Sequence, residues 1–252
     1  MNIEFLTFLK REVYRFLVLY KQTIIPALIS SLLYIIVFGT TLGTRISSIN
    51  GVPYINYIVP GLAMMSVINQ AYQNSASSIM QGKYLKFIED ILIAPLSGFE
   101  ISLGYIIGGA LRGLICGLGI LIICLFMTDL KIENYLLTLF YLLTVSWTFS
   151  AFGVIIGIYA KSWDEIGSFT NFVFMPMTFL GGVFYSLDML PPLWRNISYI
   201  NPIYWMISGL RYSTLGLEEN SNLISLFICF GFSCIFTLIA TWMFKTGYKI
   251  KS

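Results

Sequence analysis

Residues 82–100 read GKYLKFIEDILIAPLSGFE, the one interior stretch of this chain that is both charged and helically periodic. Tyr84, Phe87, Ile88, Ile91 and Leu92 recur at the i, i+3, i+4, i+7, i+8 spacing of a single helix face, while Lys83, Lys86, Glu89 and Asp90 occupy the remainder. The spacing predicts a short amphipathic helix over 82–94. Pro95 ends it, because proline restricts the residue before it and cannot continue the ladder. Ser97-Gly98 then opens another element. Such a helix can lie in the headgroup layer of a membrane or press its apolar face into a groove on a soluble partner. Either way it marks a membrane boundary, because the sequence on both sides of it is apolar.

Composition agrees. Hydrophobic residues make up 57% of the chain, charged residues 11%, and mean hydropathy is +0.81, against roughly a quarter charged in a soluble domain. The charges also leave long gaps: 22–44, 46–82, 134–160, 166–187 and 220–244 hold none, and 101–128 is interrupted only by Arg112. A helix crosses a hydrocarbon core of about 30 Å with about 20 residues. The expectation is therefore an all-α integral membrane protein, a single domain over 1–252 with six spans at about 22–43, 54–80, 101–127, 135–160, 166–187 and 221–244.

The stretch 1–21 places Leu6, Leu9, Val13, Phe16, Leu17 and Tyr20 on one stripe, with Glu4, Arg11 and Arg15 on another. This predicts an amphipathic helix on the membrane surface and an uncleaved first span. With the amino terminus inside, ten Lys and Arg fall on inner segments (residues 10, 11, 15, 21, 83, 86, 161, 245, 249 and 251) and four outside (45, 131, 195 and 211). Positive charge is retained on the cytoplasmic side, so both termini are expected inside.

Two spans carry polar groups that lipid would penalise. The second half of span two contains Asn69, Gln70, Gln73 and Asn74 with several serines, and is either a wall of a polar pathway or an extension below the bilayer. Span three is rich in glycine, with small-xxx-small pairs at 104/108, 109/113 and 113/117 that permit close helix approach. Among them sits Arg112, about 16 Å past Ile101 and so near mid-bilayer. With no Asp or Glu inside a predicted span, it can meet backbone carbonyls, water or an anionic ligand. Span five contributes Asn171. The short turn at 161–165 predicts that spans four and five are antiparallel neighbours. The segment 188–215 is too apolar and aromatic for a free loop and is broken by prolines, which predicts short re-entrant helices on the outer face.

Absences exclude several functions. The chain has no histidine, which removes imidazole ligands and His-based nucleophile activation. Its four cysteines lie in apolar spans without CxxC spacing, so no metal or cofactor site and no catalytic set is expected. An ion-coupled carrier would want carboxylates or histidines at mid-membrane. A lipid-modifying membrane enzyme would want clustered acids, whereas Asp129, Glu133 and Asp188 are scattered. A non-transporting scaffold stays open.

The residues carry a resemblance over nearly the whole chain. YINYIVPGLAMMSVINQAYQNSASS, the connector EDILIAPLS, GYIIGGALRGL, and GGVFYSLDMLPPLWRNISYINPIYWMISGLRY resemble the ABC-2 type permeases, the membrane subunits of ATP-binding-cassette exporters of drugs, lipids and lipid-linked glycans. The resemblance implies two permease protomers, expected as a homodimer, with two separate ATPase subunits that hold ATP and magnesium. It implies a multi-pass protein of the bacterial inner (cytoplasmic) membrane, with lipid but no nucleic acid as a further partner. It makes 82–94 the coupling helix (Tyr84, Phe87, Ile88, Glu89, Asp90, Ile91 and Leu92), 1–21 the connecting helix, and spans one, two and five the border of the path. Asn69, Gln70, Gln73, Asn74, Arg112 and Asn171 are the pathway candidates. The chain lacks GxxxxGK[ST]: Gly82-Lys83 is followed by Tyr84, so nucleotide belongs to another polypeptide.

Overall fold

The computed structural model describes residues 3–249; Lys251 of the basic tail and the first two residues of the surface helix lie outside them. The described chain is helical apart from one small hairpin. Helix α1 (Ile3–Val18) precedes α2 (Tyr20–Thr23) and α3 (Ile25–Thr41), which are interrupted at Ile24 beside Pro26. Strands β1 (Ser48–Ile49) and β2 (Val52–Pro53) pair antiparallel across Asn50-Gly51, both at positive φ, as a two-residue Asn-Gly hairpin requires. Then come α4 (Tyr54–Tyr84), α5 (Ile88–Ile93), α6 (Gly98–Met127), α7 (Tyr135–Tyr159), α8 (Trp163–Phe169), a π-helical turn at Thr170–Phe174, α9 (Met175–Leu180), α10 (Pro192–Ile200), α11 (Pro202–Leu215) and α12 (Asn222–Thr246).

Among the described residues, four segments are long and apolar enough to cross a membrane: Tyr20–Thr41, Gly98–Met127, Tyr135–Tyr159 and Asn222–Thr246. Helix α4, with 31 residues, has the length, but its amides lower its hydropathy. The span expected over 166–187 is divided: α8, the π turn and α9 follow one another until the chain leaves helix at Gly181-Gly182.

Helix α4 is the hub. Tyr57, Ile58, Ala63, Met64, Val67, Ile68, Ala71 and Tyr72 are fully buried, in one core with residues of α6, α7 and α11. Close packing here rests on small residues. A Cβ on Gly109 would sit 2.2 Å from Ser75 Oγ and 2.4 Å from Ser150 Oγ, and one on Gly153 2.5 Å from the Tyr72 carbonyl. With those side chains absent, Ser146 and Ser150 of α7 donate to the Ala110 and Ile106 carbonyls of α6 at 2.6 and 2.7 Å. This is the membrane pattern in which small residues bring backbones together and hydroxyls bond across helices. The expected spans four and five meet through aromatic rings: Phe174 lies 5.3 Å from Phe149 and 5.8 Å from Phe152 of α7.

Two expected faces are corrected. The apolar stripe expected over 1–21 is split: Leu6, Leu17 and Tyr20 are exposed and Leu9 and Val13 half-buried, while Phe16 of that stripe is buried against the bundle with Phe5, Phe8 and Glu12. Between lipid and protein, apolarity does not discriminate; shape and polar partners do. The helix expected over 82–94 is broken. Helix α4 ends at Tyr84, Lys86 adopts φ 61°, and only Ile88–Ile93 is helical again.

The segment 188–215 contains two helices, each with proline in its first turn and Asn201 capping α11, where proline's missing amide proton costs nothing. Beneath them lies a buried ion pair. The Arg211 guanidinium, 1% exposed, donates to Glu219 Oε2 and to the Gly182 carbonyl, both at 2.8 Å. It lies 4.0 Å from the Tyr57 ring centre, and the Tyr57 hydroxyl donates to Glu219 Oε1 at 2.5 Å. One cluster thus joins α11 to α4 and to the turn after α9.

Candidate functional site

At the basic end of the bundle, α5 is a short helix with two different faces. Ile88 and Ile91 are buried in a cluster with Ile101, Tyr105 and Phe244 of α6 and α12, with Phe87 and Leu92 packed at its edge. Phe87 also lies under the Arg11 guanidinium of α1 at 4.1 Å. Glu89, Asp90 and Ile93 are exposed. Tyr84, expected on the buried stripe, is 77% exposed, because the break at 85–87 rotates it away.

The joint from α5 to α6 is stiff. Ala94 is extended ahead of Pro95, as the proline demands. Ser97 Oγ then accepts from the Glu100 amide at 3.2 Å while Glu100 Oε2 accepts from the Ser97 amide at 2.8 Å, a reciprocal capping box. A force on α5 passes through this corner and through the buried isoleucines into α6.

One stripe of α4 meets a charged side chain at each of three successive turns. Arg112 donates to Gln70 Oε1. Arg15 donates to Asn74 Oδ1 at 3.1 Å and to its carbonyl at 2.8 Å. Ser78 donates to Glu12 Oε2 at 2.6 Å, and Glu12 pairs with Arg15 at 3.8 Å. Asn74 and Glu12 are fully buried. Asn74 is thus turned into the packing of α1 on α4, and Arg112 meets a side-chain amide. Burial raises the Glu12 carboxyl above the usual carboxylate range, against the opposing pull of Arg15 and the Ser78 hydrogen bond.

The open polar surface lies one face over. A crevice of about 260 Å³ separates α3 from α4, lined among others by Ser30, Ser31, Tyr34, Ser66, Asn69 and Gln70. Asn69 Nδ2 returns to the Met65 carbonyl at 2.9 Å, so its remaining oxygen faces the crevice. Gln73 donates to Thr170 at 3.0 Å, beside exposed Asn171 in the π turn, a backbone form concentrated at functional sites. Of the six pathway candidates, Asn69 and Gln70 line the crevice, Gln73 bonds to the π turn that holds Asn171, and Asn74 and Arg112 are held by Arg15 and Gln70. Gln70→Leu would strand Arg112 without its partner. It is expected to lower the thermal unfolding midpoint in detergent by the equivalent of about 1–3 kcal/mol, whereas Gln70→Glu should hold it near wild type.

Sequence reasoning missed Glu12, Arg15 as a partner of Asn74, and the Arg211 cluster. A glutamate in register with Phe5, Phe8 and Phe16 was the available signal for the first.

Comparison with known proteins decides what this arrangement belongs to. A family model described as ABC-2 type transporter matches residues 3–215. The chain belongs to the ABC-2 type transporter family. It is 39% identical over 242 residues, 96% of this chain and 94% of the relative, to the inner membrane transport permease YadH of Escherichia coli K12. It is 26% identical over 200 residues, 77% of this chain and 75% of the relative, to nodulation protein J of Rhizobium leguminosarum bv. viciae. As an ABC-2 type permease it is a multi-pass membrane protein and a membrane transport subunit. Its matched region runs from α1 to the end of α11 and so contains both the braced helix α5 and the crevice between α3 and α4.

Proposed function

We propose that this chain is the permease of an ATP-driven exporter of the bacterial inner membrane, moving an amphipathic cargo of the drug, lipid or lipid-linked glycan kind. The observation that carries the reading is α5: one face buried on α1, α6 and α12, the other free at the basic end of the bundle. That is the form of a lever that another subunit pushes. In this reading α2–α3, α4, α6, α7, α8–α9 and α12 are six spans, with both termini cytoplasmic. Two copies of the permease enclose the path, and two ATPase subunits dock beneath, holding ATP and magnesium. Helix α3 supports the pairing: only 11% of its apolar window is buried, and the polar crevice opens beside it. Helices α10 and α11, braced by Arg211, cap the outer end.

The position of the helix break chooses the test. Ile88 is the first residue of α5, where proline is tolerated. Ile91 donates to the Phe87 carbonyl at 3.4 Å and lies inside, where proline removes the donor and clashes. Ile91→Pro is expected to abolish co-purification of the nucleotide-hydrolysing subunit from native membranes while membrane insertion stays intact. Unchanged co-purification with Ile91→Pro would refute the lever.

A further inference from the structure

Away from α3 and the crevice beside it, a second crevice of about 460 Å³ opens between the inner ends of α4, α7 and α12. Four lysines line it, Lys83, Lys86, Lys161 and Lys249, against one carboxylate, Glu89, over an apolar floor of Met80, Ile88 and Ile158. Among the described residues none of the four lysines has a carboxylate within ion-pair distance. The Lys83 ammonium donates to the last carbonyls of α7, at Ile158 and Ala160, which fixes it inside. Lys249 lies 3.7 Å from the centre of the Tyr159 ring. Lys86 and Lys249 are two of three non-glycine residues at positive φ among those described, a costly backbone form that aims both lysines from this one place. Four cations gathered around one lining carboxylate, with none of them in an ion pair, favour an anion.

Surroundings identify its source. Tyr159, Trp163, Trp242 and Tyr248 are about half exposed around the inner ends of α7, α8 and α12. Tryptophan and tyrosine collect at the headgroup level of a bilayer. Above them the outward residues of α7 and α12 are apolar, including Leu143, Phe227, Phe230 and Leu238. A soluble partner would meet a polar rim; this crevice is bordered by half-exposed aromatic rings and by the apolar outward residues of α7 and α12, which suit acyl chains.

We propose that the crevice binds the phosphate of an anionic phospholipid from the cytoplasmic leaflet, held by Lys86, Lys161 and Lys249 over Lys83. Basic pockets between helices on that side recognise such headgroups, each cation adding to the attraction. The bound lipid ties the end of α4 to α7 and α12 at the base of α5. The site needs the inward orientation of this end but neither nucleotide nor cargo, so its failure and that of the export reading are separable.

The test is native mass spectrometry of the purified full chain, titrated with phosphatidylglycerol or with phosphatidylcholine of equal chain length. Phosphatidylglycerol adducts are expected in preference. Lys161→Gln/Lys249→Gln is expected to weaken that preference roughly tenfold or more, the Arg pair at the same positions to keep it, and Lys131→Gln at the other end to leave it alone. Equal retention of both lipids, or a preference unmoved by the double variant, overturns the site. Displacement by inorganic phosphate alone at equal concentration would assign it to a free anion. Loss of the ATPase subunit with lipid preference intact would assign it to a protein contact, and either result overturns the lipid assignment.

Discussion

Arg211→Ala is expected to be among the most damaging single substitutions in this chain. The guanidinium is buried and has three partners: Glu219 and the Gly182 carbonyl at 2.8 Å, and the Tyr57 ring at 4.0 Å. Truncation leaves the Glu219 carboxylate, 8% exposed in its side chain, with only the Tyr57 hydroxyl, and leaves the Gly182 carbonyl without a donor. Breaking a buried pair from one side costs about 3–5 kcal/mol, chiefly because the surviving charge is stranded. The result should be a large fall in the thermal unfolding midpoint in detergent, or failure to accumulate in the membrane. Removing both partners should cost less than the first removal suggests, since an apolar pair of similar volume is often tolerated where a half-pair is not. Arg211→Met/Glu219→Leu is therefore expected to lie above Arg211→Ala in stability. A wild-type midpoint for Arg211→Ala would mean that the cluster does not hold α11 on α4.

Why the sequence does not disclose that cluster is instructive. Arg211 carries a charge in an aromatic segment, and charge counting assigns it to the outer face, where a solvated arginine needs no partner. Its partners lie eight positions on, at Glu219, and across the fold at Gly182 and Tyr57, and no local period relates them. By contrast the helices that carry it are legible as short pieces of an apolar segment broken by prolines; the structure adds that Pro192 and Pro202 stand in first turns and that Asn201 caps α11. The glycine pattern of α6 is legible too, because a missing Cβ has the same meaning at any position. Gly109 and Gly113 stand against serines of α4 and α7, as small residues at close crossings should.

The amphipathic connector after α4, proposed here as the lever, is legible in place but not in form. Periodicity from Tyr84 to Leu92 continues smoothly through residues where the chain turns, and nothing about Lys86 announces φ 61°. The amides of α4 show a related limit. Composition says that they need partners without saying which ones find them inside. The structure divides them: Gln70 and Asn74 turn to arginines on α6 and α1, Gln73 to the π turn, and Asn69 to its own helix and the crevice. A charged partner of an intramembrane amide can come from a surface helix, and α1 was read by its apolar stripe alone.

Glu12→Ala is the second large effect expected, and it tests whether α1 is a structural member of the bundle or only rests on the membrane. The carboxylate is fully buried, accepts from Ser78 at 2.6 Å and stands 3.8 Å from Arg15, which in turn holds Asn74. Without it, Arg15 is left largely buried with no counter-charge, at a cost of about 3 kcal/mol or more. Glu12→Gln also removes the counter-charge but keeps an oxygen for Ser78, so it should recover only the hydrogen-bond part of that loss, about 1 kcal/mol. The pH dependence separates the two roles of the group. Burial raises the folded-state pKa above the ordinary carboxylate value of 4.5, so the folded chain holds a proton that the unfolded chain gives up. This contribution to stability is largest at low pH and declines as pH rises from the unfolded value through the raised one. Glu12→Gln, which cannot titrate, should flatten that part of the profile of thermal midpoint against pH. Because Arg11, one position before Glu12, stacks on Phe87, a loosened α1 also removes one brace of α5. Glu12→Ala should therefore reduce ATPase co-purification, though less than Ile91→Pro, which unfolds the lever itself. If Glu12→Ala keeps the wild-type midpoint and Glu12→Gln keeps the wild-type pH slope, the acid is a bystander, and the tie between α1 and α4 must be sought in Phe8 and Phe16 instead.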